Sequence, residues 1–381
     1  MTDLTSIPDK LDALVVGAGP AGTTVATLLL QKGHSVALVE RQSFPRFKVC
    51  GGCLNQSSLR GLIDAGLIQC PTDLPGKPYS AVQIHSHSQT ATLPLPAGLA
   101  IGRAELDHTL TNAAVSLGVQ IAMSTKATLL PSSPSDPHRQ VCLEADDQQR
   151  TIRARLVIDA TGLGSKFSAI PWRHTGPARL GVGTILRSDS WDGPAPAPNH
   201  LQMINGRAGY LGIAHLSDHQ LDIAASLDPQ ATRQLGISGA LASIFEEVGL
   251  SQGHAIHHIN WKGTPRLNCA RKTLGAHRLL LLGDAAGYIE PFTGEGMAWG
   301  IQGAHLLSQL AEEAINHWSP RVLDRYTYAR RPILQRQRVC RYVTALLRRP
   351  RLAATALRVL RLRPSFSSPL TRAMNRRPAH A

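Results

Sequence analysis

Aromatic residues are scarce in this chain, at 4% of 381 residues. Cysteines are also few. Cys50, Cys53, Cys70, Cys142, Cys269 and Cys340 are too scattered for a disulfide framework in a chain this long, and only Cys50 and Cys53 form a CxxC pair. No window holds the ~20 uninterrupted apolar residues that a membrane span needs. The opening segment, MTDLTSIPDKLD, carries acids and no apolar stretch of the signal-peptide kind, which leads us to expect a cytoplasmic protein. His254, His257 and His258 cluster, but no cysteine or acid joins them at a metal spacing, and His85 and His87 alternate as strand residues do. No metal is expected. Neither a nucleophile–histidine–acid set nor a pair of catalytic carboxylates can be picked out.

Acids are missing from one region in particular. From Trp318 onward there are 16 Arg, no Lys and one Asp, while the whole chain sums to +14. The basicity therefore belongs to the tail, and the body is about neutral. The tail mixes Arg with Leu, Val and Ala at helical spacing, interrupted at Pro350 and Pro364. Three readings stay open: helices packed on the body with exposed arginines, contact with an anionic membrane surface, and, least favoured, nonspecific nucleic-acid contact.

The stretch that organises the rest is Leu11 to Glu40. Leu14-Val15-Val16 suits a buried parallel strand, and Gly17, Gly19 and Gly22 follow at GxGxxG spacing. Gly17 permits a tight turn, Gly19 lets the backbone approach a pyrophosphate, and Gly22 lets the helix lie against the strand. Pro20 and Ala21 open that helix, whose free N–H groups favour an anion. Val36 to Val39 reads as a second strand, and Glu40 at its end can accept from ribose hydroxyls, with Arg41 beside it. A dinucleotide site follows. No second GxGxxG with strand–turn–helix context exists.

Further along, Asn55 can cap a helix running to about Ala65, and Ser80–His85 and Thr90–Leu93 read as short paired strands. A helix leads from Arg103 to Gly118, and strands follow, the last running into Asp159-Ala160-Thr161-Gly162. Four strand-like segments between Leu180 and Ala225 precede a helix at Asp228–Val248. Then a buried strand, Arg278–Leu282, runs into a loop and a long helix. We expect an α/β fold with an α+β insert. Its parts are a Rossmann-like nucleotide domain with a parallel sheet (1–170 and 271–317), an antiparallel-sheet substrate domain (171–270), and a basic helical tail (318–381).

Three motifs in order, GAGPAG near the start, DATGLGS in the middle and GDAAGYIEPFTGEGM late, resemble the flavoprotein superfamily of aromatic hydroxylases, geranylgeranyl reductases and flavin-dependent halogenases. The resemblance assigns the dinucleotide site to FAD. It implies that Gly283-Asp284 binds the ribityl or pyrophosphate side, and that Pro291, Gly294, Gly296 and Met297 run along the flavin ring. It also implies that Arg103 contacts the cofactor and that Asp159 and Gly162 lie beside it, although a plain strand-end acid is the alternative for Asp159. Phe47-Lys48-Val49-Cys50-Gly51-Gly52 looks like the Cys-Gly-Gly loop of the geranylgeranyl reductases. That likeness puts Lys48, Gly51 and Gly52 near substrate and makes Cys50 a cavity-lining or catalytic thiol, with a Cys50–Cys53 redox disulfide as the alternative. Gly209-Tyr210 matches the start of that group's Gly-Tyr-x-Trp-x-x-Pro segment, but Gly212 takes the tryptophan position and the proline is absent. Tyr210 stands as a second catalytic candidate or as a buried strand tyrosine. The halogenase Trp-x-Trp-x-Ile-Pro signature is missing.

The resulting expectation is an FAD-dependent oxidoreductase acting on a hydrophobic isoprenoid- or polyketide-like molecule, by reduction of a double bond. The alternatives are an NAD(P)H-dependent ring hydroxylase and a non-enzymatic flavoprotein that uses its tail to bind membrane or nucleic acid. Electrons come from NAD(P)H visiting transiently or from a separate flavin reductase. The expected location is cytoplasmic, with peripheral contact at the inner membrane surface left open.

Overall fold

The computed structural model describes residues 4–290, 292 and 294–363. Two large sheets dominate it. The first is built around Lys10–Val16, whose Leu14 and Val15 are fully buried because both sheet faces are covered. Val36–Val39 and Gln148–Asp159 flank this strand in parallel, with Val16 opposite both Val39 and Asp159. Gln120–Ala122 extends the sheet on one side and Leu279–Leu281 on the other, also in parallel. Antiparallel strands at Lys126–Leu129, Arg139–Ala145 and Gly275–Ala276 complete it. The helices Pro20–Gln31, Arg103–Ser116 and Gly296–Asn316 contribute Val25, Leu29, Leu106, Leu110, Ile301 and Leu307 to the core on one face.

The second sheet carries the expected strands Leu180–Arg187, His200–Gly206, Gly209–Ser217 and Gln220–Leu227, each one to four residues longer than read from sequence. It is larger than the segment 171–270, however. Lys77–Ser86, Gln89–Ala100 and Cys53–Leu54 belong to the same sheet, and His200–Gly206 pairs with Lys77–Ser86 in parallel, not antiparallel. The reason is topological: residues 53–100 leave the nucleotide half and return to it, so one sheet is assembled from two distant parts of the chain. The helix Pro229–Glu247, capped by Asp228 and kinked at Gly236, covers the outer face through Leu241, Ile244 and Phe245. Asn55 caps Gln56–Asp64, its Oδ1 accepting from the Ser58 N–H at 2.9 Å.

A small three-stranded sheet, Trp172–His174, Cys269–Arg271 and Gly287–Tyr288, sits at the junction, and its register sets Tyr288 opposite Cys269. The tail forms three helices, Arg321–Ala329, Arg331–Leu347 and Pro350–Leu362. Fully buried Tyr326 ties the first of them to the nucleotide sheet by donating to the Leu281 carbonyl at 2.8 Å. The tail does break at Pro350: one helix ends at Leu347, and Pro350 opens the next, where its missing N–H costs nothing. Pro364 lies outside the described residues.

Candidate active site

The glycine-rich turn is shaped by contacts that no side chain could share. Gly17 has φ +106°, and a Cβ there would lie 2.5 Å from the Ala160 carbonyl oxygen. A Cβ on Gly22 would lie 1.9 Å from the Gly17 oxygen, so the helix can come this close only as glycine. Gly19 differs: its open side faces a cleft, and a Cβ there would meet only the Arg103 guanidinium, at 3.4 Å. Gly19, Pro20 and Ala21 line one wall of this cleft, and Gly294, Gly296 and Met297 line the other. Two helix N-termini, at Pro20 and Gly296, therefore converge on one space. Gly162, Gly283 and Gly300 line it too, so much of its surface is bare backbone.

Its charge is set by three side chains. Arg103 is buried and forks onto Asp107, donating from Nε to Oδ1 and from Nη2 to Oδ2, both at 2.8 Å. Burial works against its charge, but Asp107 outweighs that and holds it firmly protonated. Arg46 shares Asp107 at 3.3 Å. Burial and then the Arg103 charge push the Lys48 ammonium below its ordinary value, with Asp284 opposing them. Burial raises Asp284, while Lys48 and Arg103 pull it back down. The cleft thus holds two cations against a single acid, and it suits a ligand with negative charge.

The other predicted residues fall around this cleft. Glu40 is buried, and its carboxylate accepts from the Ala18 N–H at 3.0 Å and the Gln42 N–H at 3.1 Å, which pins the glycine turn to the second strand. Arg41 is exposed and does not line the cleft. Asp159 is fully buried behind it, where Oδ1 accepts from the Thr161 N–H and Oδ2 has no partner among the described residues; Ala160 and Gly162 face the cleft in its place. Pro291 lies outside the described residues.

Against the far end of the cleft lies an apolar cavity of about 310 Å³. The two spaces share Val49, Cys50, Gly51, Cys53, Tyr288 and Gly294. The second sheet supplies Val82, Ile84, Leu93, Leu201 and Met203, and the tail closes the opposite side with Val343, Leu347, Ala356, Leu357 and Leu360. Cys50 and Cys53 are free thiols. Burial raises Cys50, opposed by the Arg103 charge and a hydrogen bond from the Gly52 N–H. Burial raises Cys53 much further, and both Cys50 and Asp222 add to it. A thiol held so firmly protonated is a poor partner in a redox disulfide. Gly52 has φ +61° and turns away from the cavity, toward the Ile101 carbonyl and Asp222. Asp222 is buried with no ion-pair partner among the described residues, and desolvation raises it well above the carboxylate range.

Tyr210 lines the cavity but not the cleft. Its ring meets Phe292 edge-on at 4.9 Å, and its hydroxyl bonds Glu290. Glu290 also accepts from Ser226 at 2.9 Å, Asn268 at 3.1 Å and Arg348 at 2.6 Å. Sequence reasoning missed this network, along with Tyr288 and the tail's place in the cavity wall. The spacing of Arg336 and Arg348 gave no sign that they reach Glu295 and Glu290.

Comparison with known proteins decides the class. A family described as "FAD binding domain" matches residues 10–197 and 249–339, the two halves that build the first sheet and the cleft. The chain belongs to this family. It is 25% identical over 346 residues to menaquinone reductase of Mycobacterium tuberculosis, covering 84% of this chain and 82% of that one. It is 27% identical over 326 residues to digeranylgeranylglycerophospholipid reductase 1 of Methanothermobacter thermautotrophicus, covering 81% and 78%. Conditioned medium factor receptor 1 of Dictyostelium discoideum is 25% identical over 333 residues, 80% of this chain but 64% of that protein's length. The flavin-dependent brominase Bmp2 shares the fold, with TM-score 0.78 over 96% of this chain and 93% of that one at 14% identity. The protein is an FAD-dependent oxidoreductase. FAD fits the residues present: two helix N-termini and the Arg103–Lys48 pair suit its pyrophosphate, and the bare backbone at Gly19, Gly162, Gly283 and Gly294 leaves room that a Cβ would fill.

Proposed function

We propose that this protein reduces a carbon–carbon double bond in a long apolar substrate of isoprenoid type, with NAD(P)H or a separate flavin reductase as the source of electrons. The observation that supports this most is the continuity of cleft and cavity through Val49, Cys50, Gly51 and Tyr288. The cleft residues Gly19, Arg103, Gly294 and Gly296 would hold FAD, which in its reduced form would supply a hydride. The chain's part is to bind, orient and exclude water. The aliphatic wall desolvates the substrate, and the shared edge presents one stretch of it to the cleft.

The carbon that does not receive the hydride needs a proton. We assign this step to Cys50. Burial keeps its thiol protonated, and the thiolate left behind faces the Arg103 charge and the Gly52 N–H before water reprotonates it. Cys53 has no such relief. Tyr210 then serves as a wall and anchor residue. Cys50→Ala is expected to slow substrate-dependent reoxidation of the reduced protein by about 10²–10⁴-fold without loss of flavin absorbance, while Cys53→Ala stays within a few-fold of the parent. A wild-type rate in Cys50→Ala would remove the assignment. Oxygen uptake that depends on substrate would replace the reductase reading with hydroxylation.

A further inference from the structure

The tail helices have two apolar faces, and the cavity accounts for only one. Ala353, Leu357 and Leu360 of the last helix turn inward, as do Val343 and Leu347 of the one before it. On the opposite side, at helical spacing, Val339, Tyr342 and Leu346 stand exposed on one helix and Leu352, Val359 and Leu362 on the other. Most of the large apolar side chains exposed among the described residues lie in this patch or just before it. The arginines divide in the same way. Arg336 and Arg348 are spent on Glu295 and Glu290, which dock the tail on the body. Arg338, Arg341, Arg349, Arg358 and Arg361 are exposed among the apolar residues, and Asp324 is the last acid in the chain.

A purely solvated face would carry the arginines without the leucines and tyrosine. A surface for another folded protein would be expected to carry some acids. Apolar side chains ringed by unopposed guanidinium groups match an anionic lipid interface, where the rings and branched chains enter the headgroup region and the arginines meet phosphates. Leu346 joins the two faces: it is 39% exposed and also lines the cavity.

We infer that the outer face of helices 331–347 and 350–362 docks on an anionic phospholipid bilayer, and that an apolar substrate passes from the bilayer into the cavity beside Leu346. The entry route rests on the reading under Proposed function; the docking does not. The test sediments the full-length, FAD-loaded protein with vesicles of phosphatidylcholine plus phosphatidylglycerol, and with phosphatidylcholine alone, at low and high salt. Binding to the anionic vesicles that weakens with salt is expected. The triple variant Arg338→Gln, Arg341→Gln, Arg358→Gln is expected to bind on the order of a hundredfold more weakly, with unchanged circular dichroism and flavin absorbance. The pair Tyr342→Ser and Leu362→Ser should weaken binding without changing its dependence on salt. No binding, or equal binding to both vesicle types, overturns the proposal, as does tighter binding to a DNA duplex than to anionic vesicles at the same salt. If vesicles bind but no prenyl substrate is reduced, the docking stands and the reductase reading falls. If dispersed prenyl substrate is reduced without vesicle binding, the docking falls alone.

Discussion

Asp107→Asn isolates the electrostatic device at the centre of the cleft. Asp107 is fully buried and compensates two guanidinium groups, Arg103 through two bonds at 2.8 Å and Arg46 at 3.3 Å. Asparagine keeps the volume but removes the charge, so Arg103, Arg46 and the nearby Lys48 face one another with Asp284 as the acid left to oppose them in the cleft. Breaking a buried ion pair by removing one partner costs roughly 3–5 kcal/mol. For a chain of 381 residues, an unfolding entropy of about 2.1 cal/mol/K per residue turns that into a fall in Tm of about 4–6 °C. The flavin-free protein should lose the full amount. The FAD-loaded protein should lose less, because an anionic ligand returns part of the missing counter-charge. Differential scanning fluorimetry with and without added FAD reads both values. An unchanged Tm in the flavin-free variant, or an equal loss in both forms, would refute the reasoning.

Other changes probe separate parts. Gly22→Ala puts a methyl 1.9 Å from the Gly17 oxygen and should yield protein without a flavin absorbance band after purification. Asp222→Asn should raise Tm at neutral pH. The folded state holds the Asp222 proton more tightly than the unfolded chain does, so the parent loses stability as pH rises above the unfolded value of about 3.9; the gain should vanish below that value. Leu346→Trp enlarges a side chain that both lines the cavity and is exposed, and should raise KM for a long prenyl chain with little change in KM for a short analogue or in flavin content.

Much of the nucleotide half was legible because its chemistry is local. The turn needs glycine at 17 for its φ of +106° and at 22 for its approach to the Gly17 oxygen, reasons that act within a few residues, and the flanking strands are apolar runs. The cavity half was legible as strands but not as a sheet. Nothing in the alternation of His200–Gly206 states that it pairs with Lys77–Ser86 across more than a hundred residues. The tail was least legible. Helices 331–347 and 350–362 carry leucine or valine on both faces, so periodicity alone could not say which face met the body. Asp159 sits at the expected strand end, yet it is fully buried and leaves the cleft wall to Ala160 and Gly162, which spacing does not encode. Tyr288 was passed over because its position depends on the three-stranded junction, which forms only when Cys269–Arg271 and Gly287–Tyr288 come together.

The most direct test of the account is anaerobic stopped-flow absorbance on the purified, FAD-loaded protein, reduced with NADPH or dithionite and mixed with a polyprenyl substrate. The account predicts that the flavin band returns faster with substrate than without it, and that the product has gained two hydrogens by mass. Reduced flavin that ignores the substrate without oxygen, but consumes oxygen when the substrate is present, would contradict it.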